Sequence, residues 1–471
     1  MKKRSVIVFG AGPAGLTATY DLARRGIPVR CLEADRQVGG ISRTIEYKGF
    51  RFDIGGHRFY SKYERVNRLW QEVLGSEFLV RPRLSRIYYN GRFFHYPLQP
   101  VNALKGLGLA RSLRIVASYV QARIVPVAEE KSFEDWVSNR FGRELYSLFF
   151  KTYTEKVWGI PCHEIQAEWA AQRIRGLSLF SAVVDALFGR FRKQKTIKTL
   201  INEFHYPKYG PGQMYETMAL QAKKAGAAIS MRHRMTEVMH ANGRVTGVKV
   251  KSEAGEEELQ ATDFISSVPI TELILSLRPE PPAEVVRAAR SLRYRSLVTV
   301  NLLLAIPQQL PDTWIYVHDP TVALGRIQCF ANWSPFMVPS RQQSSLGLEY
   351  FCSEGDALWS MADDRLLELG IREATRIGIL DTSTVKDGFV VRMPKCYPLY
   401  ERGYQEHLAT IRRYLEQFGN LQLSGRYGLF KYNNMDHSIL TALLSVENIL
   451  GARHDVWAIN ADDEYNEEQK G

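Results

Sequence analysis

Residues 4–15 read RSVIVFGAGPAG, a β-branched apolar run followed by three closely spaced glycines. Leu16 to Arg25 then has helical spacing. The order strand, glycine turn, helix is typical of a dinucleotide-binding βαβ unit. A second apolar run, 28–33, ends in the acidic Glu33, 18 positions after the last of these glycines, and completes the unit.

The glycine turn predicts a site for a pyrophosphate. Its glycines allow a tight turn, close approach of backbone N–H groups to the anion, and tight packing of the helix on the strand. The residues expected to contact the cofactor here are Gly10, Gly12, Pro13, Ala14 and Gly15. Glu33 and the adjacent Ala34 are expected at the ribose, where an acid suits the free 2′-hydroxyl of FAD or NAD.

Two further glycine pairs favour FAD over NAD. Gly39 and Gly40, followed by Arg43, add N–H donors and a guanidinium for the same diphosphate. A third pair stands at 55–56 in the segment FDIGGH, as expected where backbone lies close to an isoalloxazine ring. Its members are Gly55 and Gly56, with His57 directly after them.

Composition and charge narrow the class of protein. The 471 residues, 24% charged and 45% hydrophobic, are typical of a globular chain of two or three domains. No apolar run reaches the ~18 residues of a membrane span. A net charge of +12 predicts anionic partners, but the dispersed charge and absence of a recognition motif argue against nucleic acid. Five scattered cysteines without zinc spacing predict a reducing, cytoplasmic location and no metal site.

The coarse pattern predicts an α/β protein with a Rossmann-like FAD-binding domain, an inserted α-helical lobe and a substrate-facing antiparallel β-sheet. Helical spacing is dense over 101–189, whereas Asn242-Gly243 and Ala254-Gly255 are typical hairpin turns. The expected boundaries are 1–75, 230–285 and 420–460 for the discontinuous FAD-binding domain, 101–200 for the lobe with a mobile basic loop, and 76–100 with 286–419 for the sheet domain.

Beyond the glycine segments, the chain resembles the UDP-galactopyranose mutases, in the superfamily of flavin amine oxidases and protoporphyrinogen oxidases. The matching segments occur in the family's order over almost the whole chain. They are YTEKVWG at 153–159, QRI at 172–174, YRSL at 294–297, Tyr397-Pro398, and GRYGLFKYNNM at 425–435.

The resemblance implies a FAD-dependent enzyme acting on a nucleotide-activated sugar. In such a mutase, N5 of the reduced flavin attacks the anomeric carbon, and pyranose and furanose forms exchange without net redox change; NAD(P)H would serve as reductant. The implied catalytic residues are His57, Arg295 and Arg426. The implied substrate-binding residues are Tyr153, Trp158, Arg175, Tyr397, Tyr432 and Asn434. Further implied flavin contacts are Val238, Ser267, Gly425, Arg426 and Met435.

The chain departs from the mutase pattern at several positions. Leu177 stands where the mutases have a catalytic arginine, and Asn434 where they have an acid. The basic segment 177–200 is expected to be a lid over an anionic substrate or a peripheral contact with the inner face of the membrane. Two other functions stay open: a FAD-dependent oxidoreductase of the amine oxidase or protoporphyrinogen oxidase kind, and a non-catalytic flavoprotein that binds nucleotide sugars. The oligomeric state is also open.

Overall fold

The computed structural model describes residues 4–96, 107–167 and 203–460. Within these residues a parallel sheet has five strands, in the order β20-β13-β1-β2-β9. They are β1 (Val6–Phe9), β2 (Val29–Glu33), β9 (Ala228–Met231), β13 (Asp263–Ser266) and β20 (Leu421–Leu423). All four residues of β1 are buried, and they alternate between the cores on the two faces of the sheet.

Helices cover both faces of this sheet. On one face α1 (Pro13–Arg24) packs against α6 (Gly212–Lys224) and α11 (Met435–Ile449), with α2 (Glu64–Leu74) beside them. Pro13 at the first helical position is favoured because its missing N–H would lack an intrahelical partner there. The other face carries α7 (Ile270–Ser276), α8 (Ala283–Ser291) and α10 (Tyr404–Leu415).

A small sheet beside the parallel one contains the predicted hairpins. It comprises β10 (Arg234–Ala241), β11 (Arg244–Ser252), β12 (Gly255–Leu259) and the short β14 (Leu277–Arg278). Asn242 and Gly243 join β10 to β11 with φ of 50° and 69°, the left-handed values that a tight hairpin turn requires. Both hairpins predicted from the sequence are confirmed.

The largest sheet has seven strands in the described part of the chain, in the order β19-β15-β18-β17-β16-β6-β7. They are β6 (Ser85–Tyr89), β7 (Arg92–His95), β15 (Tyr294–Leu304), β16 (Trp314–Val317), β17 (Arg326–Cys329), β18 (Ser344–Cys352) and β19 (Val385–Pro398). Neighbours are antiparallel except β16 with β6, and α9 (Asp363–Arg376) packs on one face. Two strand pairs complete the architecture: β3 (Thr44–Tyr47) with β4 (Phe50–Asp53), and β5 (Phe78–Pro82) with β8 (Glu203–Pro207).

The inserted lobe is helical and rests on the largest sheet. It contains α3 (Leu109–Ile124), α4 (Phe133–Phe141) and α5 (Thr152–Trp158). Ser132 and Asp135 form a capping box that starts α4. A π-helical turn, Tyr146–Lys151, leads into α5, and aromatic side chains of the lobe share a core with residues of the sheet.

The predicted fold class is confirmed. Residues 404–415 were expected in the sheet domain, yet α10 packs on α8, because buried Ile411 and Leu415 join the core of the nucleotide-binding domain. Arg175 and the segment 177–200 lie outside the described residues. Among the residues that the structure describes, no helix has the length and apolarity needed to cross a bilayer.

Candidate functional site

A cavity of about 570 Å³ lies where the parallel sheet, the largest sheet and the lobe meet. Its lining includes the ends of β1 and β2, as expected for ligands of an open α/β sheet. Fifteen residues predicted to bind the cofactor line it: Gly10, Gly12, Pro13, Ala14, Glu33, Ala34, Gly40, Arg43, Gly55, Gly56, His57, Ser267, Gly425, Arg426 and Met435.

The first glycine turn leaves open space before the N-terminus of α1. A Cβ on Gly15 would lie 1.8 Å from the carbonyl oxygen of Gly10, so only glycine fits behind the turn. A Cβ on Gly12 would meet nothing nearer than the Cα of Gly40, at 3.9 Å. Gly39 is not in the lining; its N–H donates to the carbonyl of Ala11 at 2.8 Å and joins the two glycine turns. This cradle suits a diphosphate.

Glu33, the last residue of β2, lines the cavity beside the first glycine turn. One carboxylate oxygen accepts from the Ala11 N–H at 2.6 Å, and the other accepts from the Asp35 N–H at 2.8 Å. Arg43 lines the cavity and pairs with Asp35 at 2.6 Å. At the other end, the buried Tyr427 hydroxyl has no hydrogen-bond partner among the described residues. These groups fit FAD.

Val238 is a correction to the predicted cofactor contacts. It is fully buried in the core between the parallel sheet and the small sheet, and it does not line the cavity. Val238 pairs with the buried Val248 within the small sheet, whereas Met235, near the start of β10, lines the cavity.

His57 is held as a neutral imidazole. Its Nδ1 lies 3.3 Å from the carbonyl oxygen of Gly55, and since a carbonyl only accepts, Nδ1 carries the hydrogen and Nε2 is left as an acceptor. Burial and the nearby Arg426 guanidinium lower the pKa of His57 to about 3.

Sequence reasoning missed a polar network behind Gly55 and Gly56. Arg326 donates from Nε to Glu349 at 2.8 Å, a second time from Nη2, and from Nη2 to the Tyr397 hydroxyl at 3.1 Å. Gln328 donates to the other oxygen of Glu349 at 2.6 Å. Glu349 is fully buried. The available signal was a charged residue inside each of two otherwise largely apolar strands, β17 and β18.

Arg426, Tyr397 and Tyr432 are brought together as the resemblance implied. The Arg426 guanidinium carbon lies 5.4 Å and 4.9 Å from the two ring centroids, and the rings stack on each other at 5.4 Å. Arg426 donates from Nε to the Asn433 carbonyl and from Nη1 to the Cys396 carbonyl, at 2.8 and 3.0 Å. Asn434 lines the cavity directly before α11.

Tyr153 and Trp158 also line the cavity, from α5. Tyr153 stacks on His318 with centroids 4.7 Å apart and an interplanar angle of 7°, so one face of its ring is already covered. Trp158 is only 2% exposed and contacts Tyr397 and Tyr432. Tyr316 also meets the Tyr153 ring edge to face, with centroids 5.5 Å apart. Trp158 is mainly a packing residue.

Arg295, predicted to be catalytic, does not line the cavity. It donates from Nε to the Val157 carbonyl at 3.0 Å and from Nη1 to the Ser353 hydroxyl at 2.6 Å. The last carbonyls of α5 lack intrahelical partners, and the Arg295 guanidinium donates to them. Gly159 leaves room for the guanidinium, because a Cβ at position 159 would lie 2.5 Å from it. Arg295 thus stabilises α5 instead of contacting a ligand.

Lys156 joins α5 to the largest sheet. Its Nζ donates to the carbonyls of Val317, Asp319 and Leu324 at 3.2, 2.6 and 3.2 Å. Burial lowers the pKa of Lys156 to about 8. Lys156 lies in the 153–159 segment and Arg295 in the 294–297 segment. Both side chains form contacts between the lobe and the largest sheet.

A glycine-turn βαβ unit facing a cavity that is closed by a large antiparallel sheet and a helical lobe defines a flavoprotein fold. The chain belongs to the flavin containing amine oxidoreductase family, whose model matches residues 13–450. Membership in this family implies a bound flavin, and the fold implies FAD.

Among curated proteins, the chain is 27% identical over 178 residues to a probable UDP-galactopyranose mutase of Klebsiella pneumoniae, covering 36% of this chain and 44% of that protein. It is 32% identical over 111 residues to an L-amino acid oxidase of Crotalus durissus cumanensis, covering 21% and 22%. These matches span less than half the length of either relative.

Solved structures match over nearly the whole chain. A crystal structure of reduced UDP-galactopyranose mutase has a TM-score of 0.84 at 20% identity, covering 97% of this chain and 98% of that one. A putative protoporphyrinogen oxidase from Exiguobacterium has a TM-score of 0.71 at 16% identity, covering 95% and 99%. At these identities the likeness shows the fold. The resemblance to mutases within this superfamily is confirmed.

Proposed function

We propose that this protein is a FAD-dependent mutase that exchanges the pyranose and furanose forms of a nucleotide-activated sugar. The observation that carries the proposal is the continuity of one cavity from the glycine turns to the cluster of Arg426, Tyr397 and Tyr432, and on to Tyr153. The similarity to a probable mutase over 178 residues supports it.

The cluster of Arg426, Tyr397 and Tyr432 would bind the leaving nucleoside diphosphate. Nη2 of Arg426 makes no hydrogen bond with the described residues, while Nε and Nη1 fix the guanidinium plane. A preorganised guanidinium of this kind stabilises an oxyanion without reorganisation. When bound in its reduced form, FAD would supply the electron pair that displaces the diphosphate from the anomeric carbon.

Two other groups have defined roles in this proposal. The Nε2 of neutral His57 would accept a hydrogen bond from a sugar hydroxyl or from the flavin. Tyr153, which lines the cavity, would stack the nucleobase, because aromatic faces bind bases without requiring exact hydrogen bonds.

The test is an anaerobic incubation of the purified protein with UDP-galactopyranose, with and without dithionite, followed by chromatography of the nucleotide sugars. A furanose product in the reduced sample alone is expected. Arg426→Gln should lose this product, with activity measured per bound flavin because Arg426 is also an implied flavin contact. The exposed Arg402→Gln is the matched control. Absence of product in both redox states, with tight UDP binding, would favour a non-catalytic nucleotide-sugar flavoprotein. Anaerobic bleaching by NADH or NADPH would test the proposed reductant.

A FAD-dependent dehydrogenase is the second candidate. The observation in its favour is that Arg295 is engaged at the helix end, while one wall of the cavity is aromatic. That wall comprises Tyr96, Phe133, Phe149, Phe150 and Tyr316. A substrate that bleaches the oxidised flavin without added reductant would identify this chemistry.

A further inference from the structure

The outward face of α3 carries an apolar stripe whose side chains are exposed. Leu113, Val120 and Ile124 are 62%, 47% and 73% exposed, and Val125 and Val127, which directly follow the helix, are 73% and 42% exposed. Positions 113, 120 and 124 lie on one side of a helix. These five residues are called the α3 stripe below.

The opposite face of α3 packs against the rest of the lobe, so α3 cannot rotate to bury the stripe. Ile115 is buried in the lobe core. The Ser118 hydroxyl accepts from the Glu144 N–H at 3.1 Å. Gly142 packs directly on the backbone of α3, since a Cβ there would lie 2.7 Å from the Tyr119 nitrogen.

The charge along α3 is positive. The residues of α3 include three arginines and no acid. Arg111 lies 3.8 Å from Glu144 on the inward side. In helical projection Arg114 and Arg123 flank the stripe, one on each side. Both are exposed, and among the described residues neither pairs with a carboxylate.

We propose that α3 binds an anionic membrane surface. The α3 stripe enters the boundary between headgroups and acyl chains, and Arg114 and Arg123 contact lipid phosphates. An apolar stripe flanked by unpaired arginines is the pattern of a helix that lies in the plane of the interface. The net charge of +12 adds long-range attraction to anionic lipid.

The arginines of α3 favour an anionic membrane over a second copy of the chain as the binding partner of the stripe. A two-fold contact through the stripe would bring the arginines of one copy toward those of the other, which is repulsive. A free phosphate ion would contact the arginines without covering the apolar side chains. An anionic bilayer would both cover the apolar side chains and contact the arginines.

The experiment measures co-sedimentation of the full-length, flavin-loaded protein with vesicles. Phosphatidylcholine vesicles containing about one third phosphatidylglycerol should bind the protein, and pure phosphatidylcholine vesicles should bind it much less. Binding should weaken at about 1 M salt, where screening shortens electrostatic reach to about 3 Å. Leu113→Ser/Ile124→Ser should weaken binding at least about tenfold. Arg114→Gln/Arg123→Gln should weaken it and reduce its salt dependence.

The matched control is Leu220→Ser, which removes an apolar side chain 61% exposed on α6, in the nucleotide-binding domain. Its binding should equal that of the unmodified chain, and flavin absorbance checks the folding of every variant. Absence of binding to the anionic vesicles overturns the proposal. Unchanged binding by Leu113→Ser/Ile124→Ser also overturns it and moves the contact elsewhere in the chain. So does a dimer, seen by sedimentation velocity, that the same variant abolishes.

Discussion

Arg326 and Glu349 form an ion pair across the neighbouring strands β17 and β18, at the wall of the cavity. A buried pair of this kind contributes little relative to an apolar pair, but removing one partner leaves an uncompensated charge. Arg326 also donates a hydrogen bond to the Tyr397 hydroxyl, and Glu349 accepts one from Gln328. The integrity of the ion pair therefore matters for the shape of the site.

Arg326→Met should destabilise the protein by about 3–5 kcal/mol, because Glu349 is left buried without its cation. Urea unfolding followed by fluorescence measures the change. The control is Arg326→Met/Glu349→Met, in which no charge remains, and most of the loss should be recovered. A double variant as unstable as the single one would contradict the ion-pair account.

Asp53 is a buried titratable group at the end of β4. It accepts hydrogen bonds from the Tyr206 hydroxyl and from Thr44 Oγ1, the latter at 2.9 Å. Burial raises the pKa of Asp53 to about 7. Between about pH 4 and pH 7, Asp53 is therefore protonated in the folded state and ionised in the unfolded state.

The sign of the pH effect follows from this raised pKa. The contribution of Asp53 to stability is present at low pH and is lost as the pH rises from about 4 through about 7. Asp53→Asn cannot ionise, so its stability relative to the unmodified chain should increase between about pH 5 and pH 8. Thermal midpoints of both proteins across this range test it. Parallel pH curves would show that Asp53 does not titrate there.

At the scale of elements, α5 depends on two cationic side chains for its position. Lys156 reaches three carbonyls of the 317–324 segment, and Arg295 holds the last carbonyls of the helix. Both therefore place Tyr153 against the cavity without contacting a ligand.

Lys156→Met should lower stability by at least about 2 kcal/mol, because buried carbonyls lose a charged donor. The control is Lys151→Met, at an exposed position one turn earlier, which should have little effect. Differential scanning fluorimetry compares the two. Equal thermal midpoints would contradict the anchoring role of Lys156.

The turn before α1 gives a test that separates binding from folding. An Ala at Gly12 meets no atom closer than 3.9 Å, so the apoprotein should keep its stability. Its methyl group would nevertheless stand where a diphosphate approaches the backbone, and FAD affinity should fall at least about tenfold. Gly15→Ala, with its Cβ 1.8 Å from an oxygen, should instead disrupt the fold. Flavin absorbance per protein and apoprotein thermal midpoints measure both effects.

At the scale of the whole molecule, the cavity is lined by the nucleotide-binding domain, the largest sheet and the lobe together. A ligand that fills it binds the folded state alone and stabilises all three parts. We expect the adenosine of FAD to lie at Glu33, where its contacts would add affinity beyond that of the flavin ring.

FAD added to the apoprotein should raise the thermal midpoint with concentration, by a stabilisation of about 2.7 kcal/mol at a hundredfold excess over Kd. FMN, which lacks the adenosine half, should raise it much less, because the contacts at Glu33 stay unused. An equal effect of FMN would place the binding energy at the ring end and contradict the role assigned to Glu33.

The sequence alone determined the βαβ unit, the hairpins of the small sheet and the family resemblance. These features depend on glycine positions, apolar periodicity and turn residues within short segments, which are local properties of the chain. The cofactor class followed from them, because three glycine-rich turns and one acid define where a dinucleotide can approach the backbone.

Only the tertiary structure decided which side chains face the cavity. Met235 lines the cavity whereas Val238, on the same strand, is buried in the core. Arg295 donates to the end of a helix far away in sequence. The pairing of Arg326 with Glu349 depends on the alignment of two strands. Side-chain direction at such positions is set by packing and hydrogen-bond partners from distant segments, which no local pattern encodes.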